Sequence, residues 1–137
     1  RGEKGITLIE LLVVIAILGI IAAVVALNVG QFFGRGTLQA ANTELHQAQT
    51  AIIAAMADAE TAQLGGNTTS YPAWWDGSEG VVIAESGGVE FDAANYVYGT
   101  FRAEYFVQQN GSITDGNSND WGDGIVWGPD NNWILAS

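Results

Sequence analysis

The feature that most constrains this chain is an apolar run from Ile6 to Leu27 that carries one charged residue, Glu10. Between Leu11 and Leu27 there is no charged or hydrogen-bonding side chain, and this stretch of roughly 17 residues is near the lower limit for a helix that spans a bilayer. Extension back to Ile6 makes it long enough, so we predict a transmembrane helix over residues 6–30. The alternative is a secretory signal peptide, since small residues late in the run would suit a cleavage site.

The charges outside this run restrict the orientation and the partners of the chain. Residues 1–5 carry Arg1 and Lys4, and cationic flanks stay in the cytoplasm, so the rest of the chain is expected to face outward. The net charge is −11, with only four Lys and Arg residues in total. Binding to a phosphate backbone needs clustered cations, so we expect no direct nucleic-acid binding. The absence of cysteine excludes disulfides and thiolate metal sites.

Glu10 is unusual because it lies at the start of the apolar run. A charged residue costs about 2.5–3.5 kcal/mol at the centre of a membrane span and less near its edge, and it is a functional candidate by default. The simpler alternative is a carboxylate that reaches the lipid headgroups and has no further role. The residues around Glu10 help to decide between a functional carboxylate and one that only reaches the headgroups.

The stretch KGITLIELLVVIAILGIIAAVV, residues 4–25, resembles the class III signal of bacterial type IV pilins and type II secretion pseudopilins. The resemblance implies that a prepilin peptidase cuts after Gly5 and that the new N-terminus, Ile6, is methylated. It also implies that Thr7 and Glu10 act in assembly. The chain departs from the usual pattern in having Ile6 instead of Phe and Leu27 instead of a late proline.

Processing would give Ile6 a charged α-amino group at the head of an apolar helix. At about 4 Å and an effective dielectric constant near 20, its attraction to Glu10 of a neighbouring subunit is about 4 kcal/mol. Desolvation offsets much of this attraction, so we expect the pair to set the register between subunits. Glycine costs a helix about 1 kcal/mol relative to alanine, and we expect weakened helix at Gly19, Gly30, Gly34 and Gly36.

Residues 31–137 are predicted to form a globular head of the α+β class. An apolar stripe predicts an amphipathic helix over about residues 37–64, ended by the glycines at 65 and 66. A loop over about 65–80 and an antiparallel sheet over about 81–137 follow it. A helix followed by strands is typical of α+β domains, and the resemblance implies the pilin fold, a long N-terminal helix packed on a small sheet.

Local patterns in the predicted sheet region indicate particular strands and turns. Residues 96–109 are rich in aromatic and β-branched residues and predict one strand, which the hairpin turn Asn110–Gly111 ends. A second hairpin is predicted around the turn at residues 129–132. The residues VVIA, from Val81, predict another short strand.

Two loops are candidates for surface function. In the first, Trp74 and Trp75 are expected to cap the core, with a subunit-interface or binding anchor as the alternative, and Asn67 lies in a glycosylation sequon. In the second, residues 114–124, carboxylates and amides are dense enough to suit calcium, while a solvated turn explains the same composition. The resemblance favours calcium, because some members of this group bind it in a C-terminal loop. The candidate ligands are Asp115, Asn117, Asn119, Asp120 and Asp123.

The sequence does not predict an enzyme. Its single histidine, His46, lies in the middle of a predicted helix, and no nucleophile motif or phosphate-binding glycine loop occurs. The resemblance implies a major pilin of an extracellular type IV pilus-like filament, first held in the cytoplasmic membrane. The implied partners are other copies of the chain, the prepilin peptidase and the pilus assembly platform. The alternatives are a type II secretion pseudopilin and a monomeric membrane-anchored binding module.

Overall fold

The structure is a computed structural model that describes residues 5–65, 70–118, 120–122 and 124–137, with only the backbone at residues 30–33. It divides into two compact units, Arg1–Arg35 and Gly36–Ser137. The boundary between them therefore lies at residue 35, a few residues beyond the predicted boundary at residue 30. The two units are considered separately below.

Helix α1 extends from Leu8 to Asp58, and its first part forms the N-terminal unit. Every described side chain from Gly5 to Val29 is exposed, and the helix is long and apolar enough to cross a membrane. A continuous exposed apolar surface of this kind indicates a membrane or protein partner. The four glycines at positions 19, 30, 34 and 36 all lie within α1, so the weakening that we expect there stays a prediction.

The predicted helix end near residue 64 is wrong, because α1 ends at Asp58. The N–H of Thr61 donates to the carbonyl of Met56 at 3.0 Å, and the N–H of Glu60 donates to the carbonyl of Ala57 at 3.1 Å. This pair of bonds is the Schellman arrangement, whose left-handed position is usually occupied by glycine. Here Glu60 takes that position, with φ at +51°, so the glycines at 65 and 66 do not mark the helix end.

The second part of α1 buries the apolar stripe that the sequence predicts. Alanine dominates this stripe, and its small side chain lets the strands approach the helix closely. Two larger residues, Leu45 and Ile52, fill the space between the alanines. The buried residues of the stripe are Ala41, Leu45, Ala48, Ala51, Ile52, Ala55 and Ala59.

In the described part of the chain the strands lie in three small antiparallel sheets, where the sequence predicted one. The strands are β1 Ala73–Trp75, β2 Ile83–Ser86, β3 Val89–Asp92, β4 Glu104–Val107, β5 Ile113–Asn117, β6 Ile125–Trp127 and β7 Trp133–Leu135. One sheet has the strand order β1-β4-β5, and β2-β3 and β6-β7 are separate hairpins. The long helix packed against small antiparallel sheets confirms the predicted α+β, pilin-like architecture.

Strand β1 lies within the segment that was predicted as a loop. Turn-forming residues flank its three residues, so the local composition favours a loop. The strand forms because aromatic side chains pair across the sheet, with Trp74 opposite Phe106 and Trp75 opposite Tyr105. Such cross-strand pairs stabilise a sheet beyond intrinsic propensity.

The predicted strand over residues 96–109 is wrong in its first half. Its first residue ends the 3₁₀ turn Ala93–Tyr96, whose N-cap is Asp92, and residues 97–103 form no strand. The Asp92 carboxylate accepts the N–H of Ala94 at 3.0 Å and the N–H of Gly80 at 2.6 Å, which holds the turn against the preceding loop. Only Glu104–Val107 of the predicted strand becomes β4.

Both predicted hairpins are confirmed. The Asn110–Gly111 turn joins β4 to β5, and Gly111 has a φ of +83° that suits glycine. Near the C-terminus, β6 pairs with β7, with Trp127 opposite Trp133. The strand predicted from Val81 begins two residues later, at Ile83.

Aromatic rings in edge-to-face contact connect the sheets in the core. Trp75 lies 5.1 Å from Phe101, Phe101 lies 5.8 Å from Tyr105, and Tyr105 lies 6.2 Å from Trp133, measured between ring centroids. A Cβ atom on Gly116 would lie 2.5 Å from the Trp127 ring. Glycine at this position therefore lets the last hairpin pack directly on β5.

Glu44 and two other polar side chains of α1 bind backbone groups of the strands and loops. The Glu44 carboxylate accepts four: the N–H groups of Arg102 and Ala103 at 2.9 and 3.0 Å, the Tyr105 hydroxyl at 3.0 Å and the Trp121 indole N–H at 3.4 Å. Burial raises the pKa of Tyr105 well above its ordinary value, so its hydroxyl stays protonated and donates.

The other two side chains bind strand or turn backbone. The Asn42 amide donates to the carbonyl of Trp133 at 3.0 Å and accepts its N–H at 2.9 Å. Gln49 donates to the carbonyl of Gly111 at 2.9 Å, at the tip of the β4–β5 hairpin. Each of these side chains thus ties a different segment to the helix.

Glu44→Ala is expected to lower the free energy of unfolding of the head by about 2–3 kcal/mol, because the buried Tyr105 hydroxyl and the Ala103 N–H lose their acceptor. For a unit of this size the melting temperature should fall by about 10 °C or more. Near-ultraviolet circular dichroism of the full chain in detergent micelles measures this. Glu79→Ala, which removes an exposed carboxylate, is the control, and equal melting temperatures for the two variants would contradict the prediction.

Candidate processing and assembly site

The candidate site lies at the start of α1, where residues 5–7 precede the first helical residue, Leu8. The Thr7 hydroxyl oxygen accepts the N–H of Glu10 at 3.2 Å, and the Glu10 carboxylate accepts the N–H of Thr7 at 3.1 Å. The N–H of Leu11 donates to the carbonyl of Thr7 at 3.1 Å and begins the helical ladder. This reciprocal arrangement is a capping box, with Thr7 at the N-cap and Glu10 at the third helical position.

The capping box explains how an acidic residue is tolerated at the edge of an apolar helix. The first N–H groups of a helix have no partner within it, and an unpaired polar group in apolar surroundings costs several kcal/mol. Thr7 and Glu10 each satisfy one such group, and the helix dipole favours a negative charge near the N-terminus. The sequence analysis missed this pairing, although T-x-x-E before an apolar run is its signature.

Gly5 and Ile6, the residues at the predicted cleavage position, precede the helix and are exposed. A Cβ atom on Gly5 would meet no atom within 4 Å among the described residues. Packing within the described part of the chain therefore does not require glycine here. The peptide bond between these residues lies outside α1, next to the capping box.

Only some of the predicted calcium ligands lie among the described residues. Asp115 and Asn117 lie in β5 and are exposed, so the predicted loop begins as a strand. The Asp120 N–H donates to the carbonyl of Arg102 at 3.2 Å, whereas Asn119 and Asp123 lie outside the described residues. Among the residues that are described, no three acidic or histidine side chains are placed to hold a metal. The calcium site stays a prediction.

The two tryptophans that the sequence singles out in the first loop differ in their exposure. Trp75 is buried in the core, as expected for a capping aromatic, whereas Trp74 is exposed. The sequon at Asn67 lies outside the described residues, and its glycosylation stays a prediction.

The long helix, the small antiparallel sheets and the capped apolar N-terminus together give a pilin-like architecture. Residues 1–26 match the family model of the prokaryotic N-terminal methylation motif, and this match includes the whole candidate site. The chain therefore carries at its N-terminus the class III signal that type IV pilins and pseudopilins share. No curated protein and no solved structure gives a significant match.

Mass spectrometry of subunits purified from the cell surface should find Ile6 as the N-terminal residue, carrying one N-methyl group. Gly5→Val is the matched variant, because it adds a side chain at the cut while no described atom in the chain obstructs it. It should leave residues 1–5 attached and keep the subunit in the membrane. Surface subunits of the unmutated chain that still contain Arg1 would contradict the assignment of the cleavage position.

Proposed function

We propose that this chain is a major pilin, the structural subunit of an extracellular type IV pilus-like filament. The observation that supports it most is the N-terminal unit, in which a class III signal leads into a capped helix whose apolar side chains are all exposed from Leu8 to Val29. A surface of this kind fits lipid before assembly and the same helix of other subunits afterwards.

The precursor would be held in the cytoplasmic membrane with its cationic leader on the cytoplasmic side. The prepilin peptidase would cut between Gly5 and Ile6, and the assembly platform would then move the subunit from lipid into the filament. Lipid tails and packed aliphatic side chains are similarly apolar, so this transfer has little hydrophobic driving force. Close packing and the few polar groups would therefore determine where each helix settles.

Glu10 is the polar group best placed to determine that position. One of its carboxylate oxygens accepts the N–H of Thr7, and a carboxylate has about four acceptor sites on two oxygens. It would therefore bind the ammonium group of a neighbouring Ile6 without losing the cap. In this account the capping box orients the carboxylate, and the pair with the neighbour sets the register of the two helices.

Type II secretion pseudopilins carry the same N-terminal motif and are the alternative. The N-terminal unit does not separate the two functions, because each uses the same anchor and the same processing. The presence of long filaments at the cell surface separates them.

Three substitutions distinguish the charge of Glu10 from its capping role. Glu10→Gln keeps a capping box, since glutamine also serves at this position, but it removes the charge. We expect filament yield to fall by about tenfold or more, as for Glu10→Ala. Loss of about 1.4 kcal/mol from the addition of each subunit would lower the equilibrium constant of that addition tenfold. Thr7→Ala weakens the cap by about 1 kcal/mol and keeps the charge, so its yield should be intermediate.

Yield is measured as sheared filament protein relative to membrane-bound subunit on the same immunoblot, which controls for insertion. Normal yield from Glu10→Gln would show that capping alone accounts for this residue. Normal yield from Glu10→Ala would show that the carboxylate only reaches the headgroups.

A further inference from the structure

The outer face of the sheet β1-β4-β5 carries an aromatic and polar surface. The inner face of this sheet lies in the core, with Trp75, Tyr105 and Val107 all buried. The register places Trp74 opposite Phe106, and Phe106 opposite Asp115. These three side chains therefore form one row across the three strands.

In the aromatic part of this row, Trp74 is exposed, Phe106 is half-buried, and the two rings are in contact. The rings of Trp74 and Phe106 have centroids 5.0 Å apart and an interplanar angle of 43°. Trp74 keeps 44% of its surface accessible, although Trp75 beside it is buried. A large aromatic ring that is held in place and still exposed is typical of a contact surface.

The polar groups beside the rings are also held in place. The Asp115 carboxylate accepts the N–H of Gly116 at 2.8 Å, and the Gln108 amide donates to the Thr114 hydroxyl at 2.8 Å. A shift in register between Phe106 and Val107 makes Thr114 an extra residue in β5. We define the outer face as Trp74, Glu104, Phe106, Gln108, Thr114, Asp115 and Asn117.

We propose that this outer face binds an uncharged polysaccharide. A pyranose ring has an apolar C–H face that stacks on an aromatic ring, and equatorial hydroxyls that donate to carboxylate and amide oxygens. The outer face offers both kinds of contact within one row of the sheet. Ordered acceptors reduce the entropic cost of binding, because fewer side chains must be immobilised.

The composition of the outer face argues against other occupants. Its charged members, Glu104 and Asp115, are acidic, and the whole chain has a net charge of −11. An anionic polysaccharide, a nucleic acid or an acidic lipid surface would therefore be repelled.

The inference goes beyond the filament function and does not depend on it, because the outer face belongs to the head alone. If the chain does assemble, repetition of a weak site along the filament would raise its effective affinity for a polymer.

Isothermal titration calorimetry of the purified full chain tests the proposal in monomeric form, so that a failure of filament assembly does not affect the result. The detergent should be a phosphocholine, since maltoside detergents carry sugars. Chelator is present throughout, because Asp115 is also a predicted calcium ligand. The probes are cellohexaose and the hexamer of N-acetylglucosamine, with hexagalacturonate as the anionic probe.

We expect saturable binding of at least one neutral hexasaccharide and affinity for hexagalacturonate that is lower by about tenfold or more. Trp74→Ala should weaken binding by about tenfold, and Asp115→Ala should also weaken it, whereas Trp74→Phe should retain most of it. Tyr98→Ala is the matched control, since Tyr98 is fully exposed outside this sheet, and it should bind as the unmutated chain does. Melting temperatures of all variants report on folding.

The proposal is overturned if the unmutated chain binds neither neutral hexasaccharide. It is also overturned if Trp74→Ala binds normally, if Tyr98→Ala loses as much affinity as Trp74→Ala, or if hexagalacturonate binds as tightly as the neutral probes. The proposal is supported if the Trp74→Ala variant loses binding while its melting temperature equals that of the unmutated chain. Retained binding by Trp74→Phe then excludes a merely structural effect.

Discussion

The half-buried carboxylate of Glu44 is the contact on which the head depends, because it joins the helix to two separate segments around the aromatic core. It accepts two backbone N–H groups before β4, the hydroxyl of buried Tyr105 and the indole of Trp121. Strands of three to five residues in sheets of two or three strands have little stability of their own. Without disulfides, the head relies on such anchors from α1, and bonds to a charged acceptor are the stronger kind.

The same chemistry recurs at two other places where the backbone leaves regular structure. Glu10 accepts the N–H of Thr7 at the start of the helix, and Asp92 accepts N–H groups of the 3₁₀ turn and of the loop at Gly80. In each case a carboxylate satisfies backbone donors that have no partner in a helix or a sheet. Part of the acidic composition is therefore structural, whereas the outer face of the first sheet presents acids beside the exposed ring of Trp74.

The sequence predicts those features that depend on local pattern. The stripe through Leu45 and Ile52, the Asn110–Gly111 turn and the terminal hairpin follow from periodicity and turn chemistry, and the residues of the processing site follow from the resemblance. Three features depend on contacts between distant residues and could not be predicted: the pairing of β1 with β4, the bond that Asp92 accepts from the N–H of Gly80, and the anchor at Glu44, which is off the apolar stripe. The helix end was missed because a glutamate occupies a position that glycine usually takes.

In the proposed function, residues 6–29 carry assembly and the head forms the exposed surface of the filament. Helical reconstruction by electron cryomicroscopy of filaments sheared from cells tests this most directly. It should show long filaments with the N-terminal helices packed in the core, and the Ile6 nitrogen of one subunit within about 4 Å of the Glu10 carboxylate of a neighbour. Surface preparations in which this chain forms no filament, or filaments whose core excludes its N-terminal helix, would contradict the proposed function.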